Sequence, residues 1–197
     1  MVLRPARLPA LLIAIPIVLV ILSGCTGKDA VDNSAAGNYR FVAATPIGKT
    51  IAVADRKPVG PVSGTLLSGG TFALSADRGK VVVVNFWATW CGPCVTETPQ
   101  LDSMYRQVQR KDIDFVGIDV KESGTDAPKA FVADNHISYP IVFDEPAKTA
   151  LELGDLPTTG LPFTVIIDKD QRVAAVYIGP VLPADLQPVV TSLAAES

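Results

Sequence analysis

Apolar and polar residues alternate along this chain in blocks whose periods separate strands from helices. Val62–Leu67 and Thr71–Leu74 flank Ser68-Gly69-Gly70 and predict a β-hairpin. Val81–Trp87 (VVVVNFW) is a nearly unbroken β-forming run, the pattern of a strand buried on both faces. After it, Leu101, Met104, Tyr105 and Val108 fall on one helical face. Ile113–Val120 predicts a second central strand, Asp126–Asn135 a helix with Ala130, Phe131 and Ala133 partly inward, and Tyr139–Phe143 a short strand. Ala147–Leu153 follows as a short helix. Phe163–Ile167 and Val173–Ile178 read as a hairpin across Asp168–Arg172, and Ala184–Ala195 as a closing amphipathic helix that buries Leu186, Val189, Val190 and Leu193. Strands that alternate with helices and end in a hairpin and helix predict an α/β fold, a mixed central sheet with helices on both faces.

The N-terminal pattern is different. Arg4 and Arg7 precede an apolar run over residues 10–22, broken by Pro16, and then Ser23, Gly24 and Cys25. That is the build of a secretory segment rather than a core element. The run is short for an uncleaved membrane span, which takes about 20 apolar residues. Residues 26–58 are small and polar at first, as in a tether. Phe41-Val42 and Thr50–Val53 are the two places in that stretch where short edge strands or docked extensions fit.

Composition narrows the chemistry. The 197 residues are 48% hydrophobic and 19% charged, which is globular, with one domain expected behind the flanking segments. The net charge is −3; beyond residue 25 the balance is fifteen basic against twenty acidic residues, or −5. No basic block offers itself to a phosphate backbone, so nucleic acid is excluded as a partner. With three cysteines and one histidine, a Cys/His metal site is hard to assemble: Cys91 and Cys94 supply two of about four ligands, Cys25 lies in the targeting segment and His136 is alone. No metal and no other cofactor is expected. Asp168 and Asp170 suit a turn better than calcium.

Cys91 and Cys94 therefore hold the chemical interest. As a structural disulfide they would close a very small loop and constrain little chain entropy. At a strand-to-helix junction they form a better reagent. Cys91, at or before the first helical turn, feels the helix N-terminus, which favours its thiolate; Cys94, one turn in, is shielded. The first thiol attacks a substrate disulfide and the second resolves the mixed disulfide. Pro93 fits the first turn, and Pro99 lies far enough in to kink the helix. Trp87 belongs to the core, and Trp90 reads as a partly exposed cover over the pair. His136 receives no role. Glu97 is either a solvated acid favoured by the helix dipole or a partly buried carboxyl that takes the proton of Cys94.

The stretch NFWATWCGPCVTETP after a valine strand resembles the thioredoxin superfamily, and most closely its membrane-tethered TlpA/ResA-type thiol-disulfide oxidoreductases. The resemblance covers roughly residues 58–195, one domain's length. It implies a thioredoxin-like fold with an N-terminal β-hairpin extension. It implies Cys91 as nucleophile, Cys94 as resolving thiol and Glu97 as proton acceptor or regulator of thiol pKa. Asn85 stands where cytosolic relatives carry a buried aspartate; it and Pro99 are assigned structural roles. Leu161-Pro162 before FTVIID matches the superfamily's strand-leading cis-proline. Trp90, Gly92, Pro93, Leu161 and Pro162 are thereby implied as the substrate-contacting rim. The chain departs from the pattern at Gln171, where many members have glycine, and in TTG before Leu161, which suggests a looser hairpin and a different rim.

Leu22-Ser23-Gly24-Cys25 likewise resembles a bacterial lipobox, which implies cleavage before Cys25 and a lipid on that residue. The expected organisation is a signal peptide over 1–24, a lipid-anchor and linker segment over 25–57, and the thioredoxin-like domain over 58–197, held outside the cell membrane as a monomer. The implied partners are proteins with disulfides or thiols, among them apocytochrome c, and a membrane electron donor that recharges the pair. Gly92-Pro93 resembles thioredoxin, whose potential is about −270 mV against about −120 mV for DsbA, and this favours reduction. Oxidation or isomerisation in the folding of secreted proteins is the alternative with the same residues. A peroxiredoxin fits less well, since position 85 is Asn where Pro is expected. A non-enzymatic anchored module fits less well because both cysteines are present.

Overall fold

The computed structural model describes residues 44–109, 112–154, 156 and 160–196. The expected targeting segment, Cys25 and Phe41-Val42 lie outside the described residues. The elements are β1 (Ser63–Leu66), β2 (Thr71–Ala73), β3 (Val81–Trp87), α1 (Gly92–Val108), β4 (Ile113–Asp119), α2 (Asp126–Asp134), β5 (Ile141–Phe143), α3 (Lys148–Glu152), β6 (Phe163–Ile167), β7 (Val173–Ile178) and α4 (Pro183–Ala194). They form one seven-stranded sheet of order β2-β1-β5-β4-β3-β6-β7. β3 runs parallel to β4 and β4 to β5, while β6, β7 and the β1–β2 hairpin join antiparallel. This is the mixed, helix-flanked α/β sheet of a thioredoxin-like fold.

β3 lies at the centre because all its residues but Asn85 are apolar; all seven are buried. Its alternate side chains feed two cores. Val81, Val83 and Trp87 meet Leu101, Met104 and Val108 of α1 and Leu186, Val190 and Leu193 of α4. Val82, Val84 and Phe86 face the other way, with Ala150 of α3, Leu153, and Val62 and Phe72 of the hairpin region. Phe86 stacks on Phe163 of β6 at 4.2 Å between ring centroids. Gly117 in β4 permits close packing beneath the sheet: a Cβ there would stand 2.5 Å from Ile141 Cδ1 and 3.1 Å from both Trp87 Nε1 and Tyr139 Cε2.

Several elements differ in detail from the sequence expectation. The phase of α2 is set by the Phe131 ring against Trp87, 5.1 Å between centroids. Pro128, Phe131 and Val132 therefore turn inward, whereas Ala130 and Ala133 are exposed. β5 starts at Ile141 rather than Tyr139, since Pro140 has no N–H to give a ladder; its carbonyl still accepts from Gly117. The β6–β7 turn is closed rather than loose. Asp168 Oδ1 accepts from the backbone N–H groups of Asp170 and Arg172 at 3.0 and 2.9 Å. Gln171 takes a left-handed φ of 62° there, and its side-chain amide donates to the Leu74 carbonyl at 2.6 Å, which holds it where glycine is commoner.

Thr50–Val53 is a docked extension rather than a strand, with Val53–Asp55 wound into a single 3₁₀ turn. Residues 45–57 lie along the outer edge of β7. Thr45 and Ile51 donate backbone N–H groups to Val176 and Ala174, and Val173 donates to Lys57. A free sheet edge is thereby covered. Arg56 anchors the segment. Its side chain is 1% exposed and pairs with Asp168 at 3.1 Å and Glu196 at 2.6 Å. It also donates to the Ile51 carbonyl.

Candidate active site

The end of β3 delivers the chain to the start of α1, and the cysteines sit at that junction. Cys91 is the N-cap of α1, with extended backbone (φ −88°, ψ 103°), and its Sγ accepts from the Cys94 N–H at 3.3 Å. Pro93 occupies the first turn, where no N–H is missed. The two cysteines form a disulfide with Cα atoms 5.2 Å apart. Cys91 retains 6% exposure and Cys94 none. Once the bridge is reduced, a thiolate at Cys91 takes the unsatisfied N–H groups and positive dipole end of a 17-residue helix. Cys94 has no route to solvent except past Cys91 or through the protein. The chemical asymmetry of the pair is built in by burial and by position on the helix.

Around the pair the surface is apolar. Trp90 is 59% exposed, yet its indole N–H donates to the Lys121 carbonyl at 3.0 Å, so the ring is held over a defined place. Gly92 and Pro93 are exposed. The Leu161–Pro162 peptide bond is cis, Pro162 is buried, and Leu161 is half-buried against both cores. Pro99 lies inside α1 and removes one intrahelical donor.

Glu97 is carried one turn past Cys94 on the same side of α1. It is buried rather than a solvated acid, 3% exposed. One oxygen accepts from the Val181 N–H at 2.6 Å and the other from Asn85 Nδ2 at 3.2 Å. Asn85 Nδ2 also donates to Thr164 Oγ1 at 3.1 Å across the β3–β6 pair. Burial pushes the Glu97 carboxyl up to about 7, against the opposing pull of the Val181 and Asn85 donors. A carboxyl so poised exchanges protons near neutral pH. A cavity of about 210 Å³ bordered by Pro93, Glu97, Gln100, Val181 and Leu182 gives it a way out to solvent.

Other positions follow the reading of the residues. Trp87 is fully buried, and Asp168 builds the β6–β7 turn. His136 is an exposed turn residue after α2 with φ 52°. Sequence reasoning missed Val181, whose contribution is a backbone N–H and leaves no trace in residue type. It also missed Thr164, Thr89, Asp119 and Glu122. Glu122 accepts from the Thr89 N–H and Oγ1 at 2.6 and 2.7 Å, which clamps the loop ahead of Cys91. The available signal was an acid closing the run IDFVGID, at the carboxyl end of a parallel strand, where sites of such sheets gather.

Comparison with known proteins agrees with this geometry. The family model Redoxin matches residues 52–193. Thiol-disulfide oxidoreductase ResA of Bacillus cereus is 33% identical over 115 residues, covering 58% of this chain and 64% of the relative. ResA of Bacillus subtilis is 31% identical over 112 residues, covering 57% and 60%. The chain thus matches less than two-thirds of the length of these curated relatives. Among solved structures, a secreted thiol-disulfide isomerase from Corynebacterium glutamicum superposes with a TM-score of 0.71 at 32% identity, over 77% of this chain and 96% of that one. A DsbF homologue from Corynebacterium diphtheriae gives 0.70 at 35%, over 76% and 96%. With a family match across most of its length and a Cys-Gly-Pro-Cys pair capping the helix after the central strand, this chain belongs to the redoxin family of the thioredoxin superfamily and is related to the ResA-type thiol-disulfide oxidoreductases.

Proposed function

We propose that the protein is an extracytoplasmic thiol-disulfide oxidoreductase that reduces protein disulfides through Cys91 and Cys94. The observation that carries this reading is the asymmetric pair itself: Cys91 at the helix N-cap with its sulfur on a backbone N–H, Cys94 buried behind it, and a buried carboxyl one turn further on. The Cys91 thiolate attacks one sulfur of a substrate disulfide, the substrate S–S bond breaks, and one substrate thiolate leaves and takes up a proton. Glu97 accepts the Cys94 proton. The Cys94 thiolate then attacks Cys91 Sγ, the mixed disulfide breaks, and the second substrate thiol departs. Two electrons pass to the substrate and the Cys91–Cys94 disulfide remains. A dithiol donor at the membrane returns it to the reduced form by the reverse exchange. Trp90, Gly92, Pro93, Leu161 and Pro162 form the apolar rim for an extended protein segment, and apocytochrome c is the substrate class that the ResA-type resemblance suggests. The insulin-reduction assay tests the reading: wild-type protein precipitates insulin B chain in the presence of a dithiol, and absence of that activity contradicts it.

Oxidation or isomerisation in the folding of secreted proteins is the second reading. It is favoured by the likeness to the Corynebacterium glutamicum secreted isomerase, which covers more of both chains than the ResA match does. The same residues serve both directions, and the reduction potential decides between them.

Two expectations belong to this proposal. Glu97→Gln removes the proton acceptor. In wild type the rate of mixed-disulfide resolution rises as pH passes about 7, because the acceptor becomes ionised there. In the variant that rise is absent and resolution near neutral pH slows by about tenfold or more. Stopped-flow decay of a preformed mixed disulfide measures it, and identical pH profiles in both proteins rule the role out. Cys25 is proposed as the lipid-bearing residue of the mature chain, so Cys25→Ser shifts the protein from the membrane pellet to the soluble or uncleaved fraction. Unchanged fractionation with an unmodified N-terminus removes the lipid anchor from the account.

A further inference from the structure

Asp119 ends β4 with no exposed surface, and neither of its carboxylate oxygens has a hydrogen-bond partner among the described residues. A buried carboxylate without donors is far more costly than the neutral acid. Its register partner on β3 is Trp87, which closes the strand leading to the cysteines. The four residues that begin with Asp119 grip the chain just before Cys91. Val120 donates to the Trp87 carbonyl at 3.1 Å, the Lys121 carbonyl receives the Trp90 indole N–H, and the Glu122 carboxylate receives both donors of Thr89.

The charged groups placed around Asp119 are few. Lys121 and Glu145 are exposed. Asp144, whose N–H donates to the Asp119 carbonyl, spends its own carboxylate on Lys148 N–H and on Thr149 N–H and Oγ1. Trp87 and Phe143, its strand neighbours, carry no charge. Among the described residues Glu122, 7% exposed, is the buried acid whose charge acts on it. Asp119 has no donor among the described residues to offset a charge, whereas the Glu122 carboxyl has the two donors of Thr89.

We infer that Asp119 is a positioning residue for the exchange site: held neutral, it lets the Glu122 carboxylate clamp Thr89 and fix the loop that carries Trp90 to Cys91, and loss of its proton loosens that clamp. Burial, with Glu122 adding to it, pushes the Asp119 carboxyl up to about 8, so the loosening falls on the alkaline side of neutrality. The kinetic part of this inference rests on Cys91 being the exchange nucleophile; the structural part does not.

The test follows the Trp90 indole N–H by NMR in the oxidised protein through a pH titration, in the Glu97→Gln background so that the other raised carboxyl is silent. The expected result is a shift step with midpoint near pH 8, absent in Asp119→Asn and moved to lower pH in Glu122→Gln, where the neighbouring charge is gone. With Glu97 intact, Asp119→Asn is expected to exchange disulfides at the wild-type rate near pH 6 and roughly threefold faster than wild type near pH 9. No step in the parent protein, or one that persists unchanged in Asp119→Asn, overturns the inference. Should Asp119→Asn fail to fold, an unmoved midpoint in Glu122→Gln overturns it equally. Loss of exchange activity with the indole step intact counts against the proposed function and leaves the inference standing.

Discussion

Cys91→Ser is expected to lower disulfide exchange by about three orders of magnitude or more, since an alcohol has no thiolate with which to attack sulfur. Cys94 has no exposed surface, so it does not substitute for Cys91. Cys94→Ser is expected to behave differently. Cys91 still attacks, but the mixed disulfide is not resolved, and a stable covalent adduct accumulates on Cys91. Mass spectrometry of each variant after mixing with an oxidised peptide reads both outcomes. Adducts on Cys94 in Cys91→Ser, or full turnover by Cys94→Ser, contradict the assignment of attacker and resolver.

Arg56→Ala is expected to have the largest effect on stability, about 3 kcal/mol, because it removes one of the two cations that face a buried carboxylate. Arg56 joins three parts of the chain far apart in sequence: the segment docked on β7, the turn acid Asp168 and Glu196 beyond α4. Asp168 is itself 3% exposed; when Arg56 is gone it keeps Arg172 as its one cationic partner among the described residues, with the Asp170 and Arg172 N–H groups still on its other oxygen. Glu196→Gln is expected to cost far less, since its side chain is 38% exposed and Arg56 keeps Asp168 as its buried partner. Equilibrium urea denaturation measures both, and equal midpoints for Arg56→Ala and wild type contradict the role of this buried ion pair. The site is at the other end of β3 from this network, so folded Arg56→Ala protein keeps the character of its cysteine pair.

These two experiments also mark where the sequence was informative. VVVVNFW read as a buried central strand because six of its seven residues are apolar β-formers, and CGPC at its exit placed both thiols at a strand-to-helix junction. The helix face of Leu101, Met104 and Val108 was set by spacing alone. The phase of α2 was not, because alanines carry no directional signal and a single ring contact, Phe131 on Trp87, decided it. Glu97 was ambiguous for a physical reason: its burial depends on the Val181 N–H, 84 residues away and indifferent to side chain. Arg56 looked like part of a tether because its partners lie 112 and 140 residues downstream. Asp119 received no reading from the sequence, because its position matters only once the sheet register sets it beside Trp87, with no donor among the described residues.

The same geometry serves oxidation and reduction, so the direction of electron flow rests on one equilibrium quantity. Titration of the full chain against defined glutathione ratios, with thiols counted by alkylation, yields the reduction potential of the Cys91–Cys94 couple. The account predicts a single two-electron transition that is absent in Cys91→Ser, at a potential nearer to thioredoxin's (about −270 mV) than to DsbA's. A couple near −120 mV contradicts the reductase reading and makes the protein an oxidant, and a cysteine pair that does not equilibrate with glutathione at all contradicts the exchange chemistry itself.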